Sequence, residues 1–310
     1  MKNVLVTGGA GFVGSNLVRR LCGMGCHVTV LDDLFTGDRA FLHGLELDFV
    51  EGSVVDIPLL MRLAEGKDVI FHLACRNIII SRQMPRQDLE VNAVGTFNVL
   101  EAAQQKGVGR VVYTSTASVY GNPQYIPVLE HEQPKFLSFY SSSKYAGESY
   151  AHAFFEMFGV PMTIVRYSNV YGPNQSPKNP YCGVIGKFLT NALAGAPLSI
   201  HGDGEQTRDY TYVDDAVEAT ISAATHPKAV GEVYNIGTEV ETSVNRLAEL
   251  IVKATGSASE ILYVDKRDID NVRRRALSIS KIRSHLRFSP QVSLKKGLEL
   301  TLNHMREAAR

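Results

Sequence analysis

The glycine run Thr7-Gly8-Gly9-Ala10-Gly11-Phe12-Val13-Gly14 constrains this chain more than any other feature, because of what stands on either side of it. Before it, Asn3 to Thr7 is an apolar, β-branched stretch that predicts a buried strand; after it, Asn16 to Cys22 carries helical spacing. Glycines at 8, 11 and 14 permit a tight turn, let backbone N–H groups approach a phosphate at the positive end of a helix, and let helix and strand pack closely. A second strand, His27 to Leu31, ends in Asp32 and Asp33. A carboxylate at that strand end can accept both hydroxyls of a ribose and would repel a 2′-phosphate. The combination predicts a dinucleotide site built on Gly8, Gly11, Phe12, Val13, Gly14, Asp32 and Asp33, with NAD favoured over NADP. The competing reading is a purely structural glycine turn.

The alternation continues. Asp68 to Leu73, Arg110 to Ser115 and Met162 to Arg166 read as strands, while Val94 to Gln105 and Tyr140 to Phe158 read as helices. Continuous apolar strands such as Val4-Leu5-Val6 suit burial on both faces. The pattern predicts an α/β fold, a doubly wound parallel (Rossmann) sheet with a smaller α/β substrate-binding lobe. Tyr171-Gly172-Pro173 and the turn-forming loop Asn174 to Pro180 set a boundary, giving lobes of residues 1–172 and 173–310 with some chain crossing back. Helices are expected near Ile185 to Ala194, Val213 to Ala224, Ser243 to Thr255 and Leu294 to Met305.

With 32 basic and 32 acidic side chains, no overall field draws the chain to nucleic acid or an anionic membrane. Charged residues interrupt every apolar window before the ~18 residues of a membrane span. The start runs directly into a strand, without a signal-like apolar segment, so a cytoplasmic protein is expected. Cys22 and Cys26, four apart on an expected helix, lack the further Cys or His of a zinc site; with Cys75 and Cys182 they read as free thiols, and no metal is expected.

Tyr140-Ser141-Ser142-Ser143-Lys144 places a phenol and an ammonium on one helix face. A neighbouring cation favours phenolate and would lower the tyrosine from its usual ~10, making a general base or acid. The strand Arg110 to Thr116 delivers hydroxyls to the carboxyl edge of the sheet, where open α/β folds bind ligands.

The glycine spacing, Thr116, and Tyr140 with Lys144 together resemble the extended short-chain dehydrogenase/reductases, the NAD-dependent epimerase/dehydratase family. Arg166-Tyr167-Ser168-Asn169-Val170-Tyr171-Gly172-Pro173 and Gly202-Asp203-Gly204-Glu205-Gln206-Thr207-Arg208-Asp209-Tyr210 are similar to two further segments of that family. The resemblance implies Thr116, Tyr140 and Lys144 as the catalytic trio. It adds Ser53, Val54, Leu73, Ala74, Asn92 and Tyr167 to the cofactor contacts, which include Tyr140 and Lys144. It also implies a nucleotide-sugar site of Thr116, Ser118, Asn169, Arg208, Arg273 and Arg275, the first two arginines gripping the diphosphate. Relatives that dehydrate carry Asp-Glu after the Thr116 position, and decarboxylating ones carry Glu at the second place; this chain has Ala117-Ser118. That leaves reversible oxidation, hence a 4-epimerase of a UDP-hexose or UDP-hexuronate, as in the UDP-glucose 4-epimerase-like branch. A homodimer through the helices Val94 to Gln105 and Ser143 to Phe158 is also implied.

Departures from the family concern three places. Gly52-Ser53-Val54 lacks the usual carboxylate toward adenine unless Asp56 substitutes. The stretch Cys75 to Arg82 is unlike that of epimerases. Arg275 stands close to a position that gates sugar size, where it could meet a uronate carboxylate, exclude N-acetyl sugars, or face solvent. Two alternatives stay open: a dehydratase or reductase using Glu130 or Glu148, and a non-catalytic NAD-binding scaffold.

Overall fold

The computed structural model describes residues 1–175, 183–266 and 271–308. Cys182 and positions 176–180 of the expected loop lie outside the described residues. The strands are β1 (Asn3–Thr7), β2 (His27–Asp32), β3 (Asp48–Glu51), β4 (Val69–His72), β5 (Arg110–Thr116), β6 (Met162–Tyr167), β7 (Asn169–Tyr171), β8 (Leu198–His201), β9 (Thr207–Arg208), β10 (Tyr210–Tyr212), β11 (Glu232–Ile236), β12 (Thr242–Ser243) and β13 (Ile261–Val264). A seven-stranded sheet runs in the order β11-β6-β5-β4-β1-β2-β3, parallel at each pairing. Its seventh strand, β11, comes from beyond residue 172. Three two-stranded ribbons, β7/β10, β9/β12 and β8/β13, hold the remaining strands.

The helices are α1 (Phe12–Gly23), α2 (Ile57–Ala64), α3 (Ile78–Gln83), α4 (Pro85–Asp88), α5 (Gly95–Lys106), α6 (Phe139–Phe158), α7 (Val184–Leu193), α8 (Val213–Thr225), α9 (Val244–Thr255), α10 (Ser280–Leu286) and α11 (Leu294–Ala308). Side chains alternate across the sheet, so Val4 and Val6 enter one core with Leu17 and Leu21 of α1, while Leu5 enters another with Leu60 of α2 and Val99 of α5. Burial on both faces is why these strands read as continuous apolar runs. Helix α5 begins regularly only at Gly95, after a π-helical turn at Leu89–Val94.

Helix α6, which carries Tyr140 and Lys144, is fixed at both ends. Ser138 and Ser141 form a reciprocal cap at its start, and Gly159 ends it at φ 68°. Cys26 lies beyond the end of α1, past the turn at Gly25, so the pair with Cys22 does not share a helix as the spacing suggested. Among the described residues, no helix is long and apolar enough to cross a membrane.

Candidate active site

A cleft of about 300 Å³ opens at the carboxyl edge of the sheet, lined by Gly8, Gly11, Phe12, Val13, Gly14, Asp32, Asp33, Ser53, Val54, Leu73, Ala74, Tyr140, Lys144 and Tyr167. Gly8 has φ +72°, and a Cβ there would come within 2.6 Å of Ala74 N; a Cβ on Gly14 would strike the carbonyl of Gly8. Backbone therefore meets backbone, which only glycine allows. Gly11 caps α1 without a side-chain acceptor, so the first-turn N–H groups remain for an anion. Asp32, 7% exposed, accepts from Ala10 N and Leu34 N, both at 2.9 Å. Burial raises its pKa, with the Ala10 and Leu34 N–H groups and the Arg76 charge opposing. Cradle, donors and acid suit the diphosphate and ribose of NAD.

Two expected contacts lie elsewhere. Asn92, fully buried, is not part of the cleft lining; its side chain clamps the backbone of Arg76, with Arg76 N donating at 2.7 Å and Arg76 O accepting at 2.9 Å. Asp56 is exposed, lies outside the cleft lining and caps α2 by accepting from Leu59 N at 2.9 Å.

Strand β5 ends at Thr116, whose Oγ1 accepts the backbone N–H of Ser118 at 3.1 Å and caps a short 3₁₀ turn, Ala117–Tyr120. The same side chain favours the ionised form of the Tyr140 phenol. Ser118 lines neither this cleft nor the second one.

The electrostatics differ from the expectation that Lys144 alone would pull the phenol down. Burial drives Tyr140 upward and neighbouring Cys75 adds to that, while Thr116 and Arg275 oppose it. Burial also lowers Lys144, which is 2% exposed. Both shifts have one cause: each charged form loses its water in a closed site. Lys144 Nζ sits 4.4 Å above the ring of Tyr113, whose hydroxyl donates to Lys144 O at 3.0 Å. Tyr113 was missed in the sequence. The signal was Gly147 within α6, where any Cβ would strike the Tyr113 hydroxyl.

His72, at the end of β4, links this floor to the cleft wall. Thr96 Oγ1 donates to Asn92 O at 2.6 Å, so it accepts from His72 Nε2 at 2.9 Å, and His72 Nδ1 accepts from Thr7 Oγ1 at 2.7 Å. Burial, and the nearby Lys144 charge, push the histidine down to about 3, leaving it neutral.

A second cleft, about 310 Å³, contains Asn169, Arg208 and Arg273 together with Lys187 and Lys266. Asn77 lines both clefts, so they adjoin. Arg208 is 7% exposed and its Nη1 donates to Thr207 O and Val272 O, both at 2.8 Å. Arg273 is exposed, its Nη1 2.8 Å from Asp203 Oδ1. Lys187 and Lys266 belong to no motif and were not anticipated.

Arg275 does not face solvent. It is 5% exposed, because Val128 N donates to Ala276 O and Ser278 N to Val128 O, both at 2.8 Å, drawing the segment inward beside Tyr140. Arg274 stays outside, paired with Glu241 at 2.5 Å. The acids held open for a dehydratase are engaged: Glu148 with Arg166 and Ser115, Glu130 with the backbone N–H of Asn235 at 2.9 Å.

Known proteins of this architecture fit the geometry. A UDP-glucose 4-epimerase of Mycolicibacterium smegmatis is 40% identical, over 97% of this chain and 98% of that protein. The crystal structure of the Thermotoga maritima UDP-glucose 4-epimerase with UDP-glucose superposes with a TM-score of 0.95 at 38% identity, covering 99% of this chain and 100% of that one. The Thermus thermophilus UDP-glucose 4-epimerase in complex with NAD superposes with a TM-score of 0.91 at 33% identity, over 99% of both chains. The model of the NAD dependent epimerase/dehydratase family matches residues 4–237. This chain belongs to that family.

Proposed function

We propose that this chain is an NAD-dependent nucleotide-sugar 4-epimerase, acting on a UDP-hexose or UDP-hexuronate through a transient 4-keto sugar. One observation carries the reading: Tyr140 and Lys144 line the glycine-run cleft, the Thr116 side chain favours the Tyr140 phenolate, and the positions that follow Thr116 are Ala117 and Ser118. A hydroxyl and a phenol can move the proton of a sugar alcohol. Without a carboxylate at 117 or 118, and with Glu130 and Glu148 engaged, elimination has no assigned acid. The epimerase relatives, one solved with UDP-glucose and one with NAD, support the substrate class and the cofactor.

On this reading, ionised Tyr140 takes the proton from the sugar 4-hydroxyl while Thr116 donates to that oxygen. NAD, when bound, would supply the acceptor for the hydride leaving C4, and the positive charge of its oxidised ring would favour phenolate. Lys144, held over Tyr113, would add a second positive charge behind Tyr140 and bind the nicotinamide ribose. Arg208 and Arg273 grip the diphosphate with forked donors, Arg273 leaving Asp203 to do so. Tethered at that end alone, the keto sugar can present its other face; Tyr140 then returns the proton to the 4-oxygen, and the hydride taken from C4 would go back to that carbon from the opposite side.

Residues 1–172 form the dinucleotide lobe and 173–310 the nucleotide-sugar lobe, with α8 and β11 crossing back. The exposed Phe97, Tyr150, Met157 and Phe158 on α5 and α6 support a homodimer through those helices. The free thiols Cys22, Cys26 and Cys75 suit a reducing compartment, so we place the enzyme in the cytoplasm.

Incubation with UDP-glucose and UDP-glucuronate in heavy water, followed by NMR, tests the reading. A 4-epimer without solvent deuterium at C4 is expected. A product lighter by water would make the chain a dehydratase, and absence of product from every UDP-sugar would make it a binder.

A further inference from the structure

The ion pair between Asp33 and Arg76 crosses the end of the sheet where the glycine run sits. Asp33 follows β2 and Arg76 lies past β4, and β1, which feeds the glycine run, lies between those strands. A bond from one loop to the other therefore passes over the carboxyl end of β1. Arg76 Nη2 is 2.6 Å from Asp33 Oδ2 and Nη1 is 3.4 Å from Oδ1, a forked approach. The guanidinium lies 4.0 Å over the ring of Phe35. Both charged residues line the cleft with Gly8 and Gly14.

The pair is built rather than incidental. The Arg76 side chain is 11% exposed, and its Nε is buried without a hydrogen-bond partner, a donor still to be matched. Its backbone is clamped on both sides by Asn92, which the Thr96 and His72 hydrogen bonds tie back to Thr7. A long cationic side chain held this way loses less freedom when it closes on an anion than a solvated one would.

We infer that Arg76 and Asp33 form a strap over the dinucleotide cleft that parts to admit NAD and, once closed, holds its diphosphate through Arg76 and slows its release. The inference rests on the NAD-dependent reading above. It suits that reading, since an epimerase ends each cycle with its cofactor in the starting redox state and gains by retaining it. Arg76, its cationic half, falls in the segment where the sequence departs from epimerases.

Release of radiolabelled NAD from the holoenzyme into excess unlabelled NAD tests it. Arg76→Leu and Asp33→Asn should each release NAD about tenfold faster or more, the scale of one charge-assisted contact. Asp33→Asn preserves volume and so guards against a packing effect of the larger change. The double variant should release little faster than the faster single variant, because both changes remove one strap. Release at the wild-type rate from either single variant, or effects that multiply in the double, would overturn the strap. A wild-type chain that binds no labelled NAD would instead sink the cofactor reading, and the strap with it.

Discussion

Glu148 Oε2 lies 2.5 Å from Arg166 Nη2, with the two side chains 2% and 6% exposed. Glu148 stands two turns after Tyr140 on α6 and also accepts from Ser115, the neighbour of Thr116, so the pair ties α6 to the ends of β5 and β6. Removing one charge of a buried pair strands the other without compensation. Glu148→Gln should therefore lose about 3–5 kcal/mol of stability, read by urea denaturation. A loss under about 1 kcal/mol would mean that Tyr120 and the Glu130 carbonyl, the other Arg166 partners, suffice to hold the guanidinium.

Tyr140→Phe removes the proposed base and keeps the ring. Turnover should fall by about 10²–10⁴-fold while NAD and UDP still bind. Near-normal turnover with intact binding would reassign the proton transfer to another group.

Thr116→Val tests the effect of Thr116 on Tyr140 directly, through pH. The base must be deprotonated to act, so activity rises with pH about the Tyr140 pKa. The Thr116 side chain pulls that pKa down against burial. Its loss should move the acid limb of the kcat/KM profile to higher pH, and Arg275→Met should move it in the same direction. A profile that falls in height without shifting would show that Thr116 holds substrate and leaves the tyrosine untouched.

The glycine run, Asp32 and the Tyr140/Lys144 spacing were legible in the sequence because each depends on local geometry: a turn, a strand end, one helical repeat. The direction of the Tyr140 shift was not, since it comes from how deeply α6 packs beside β5, which spacing along α6 does not encode. Asp33 and Arg76 meet from strands that flank β1 only through the sheet order β2-β1-β4, so neither residue announces its partner. The short edge strand β3, half exposed along Asp48-Phe49-Val50-Glu51, lacks the apolar run that marks the inner strands. For Arg275 the sequence left sugar contact and solvent both open; its burial comes from the pairing of Val128 with Leu277, far off in the chain.

Gly14→Ala should damage the cleft and the fold together. The new Cβ would strike Gly8 O and lie 2.8 Å from Gly9 Cα, both backbone atoms with no rotamer to yield. Overpacking of this kind costs about 1–3 kcal/mol, visible as a lower melting temperature without NAD. NAD affinity should fall as well, because the displaced strand of backbone is the one that presents N–H groups to the diphosphate. An alanine variant with unchanged melting temperature and unchanged NAD binding would show that α1 can slide away from the loop freely.

Asp209, 1% exposed, accepts from Thr238 N and Oγ1, Glu239 N and Leu277 N, and so gathers three loops behind Arg208. Burial raises its pKa to about 6 despite those donors. Its folded value thus lies above its unfolded value, so between these values the folded state binds the proton more tightly, and stability contributed by this group is lost as pH rises. The window runs from the ordinary aspartate value of ~3.9 up to about 6. Asp209→Asn cannot titrate, so the stability difference between wild type and variant should drift against wild type across that window. Above it, the variant should still be the weaker fold, since an amide cannot accept from all four donors. Denaturation curves at pH 4 and pH 7 read both effects. A difference that stays constant with pH would mean that the four donors offset burial and leave the folded carboxyl at its unfolded value, so that hydrogen bonding balances desolvation behind Arg208.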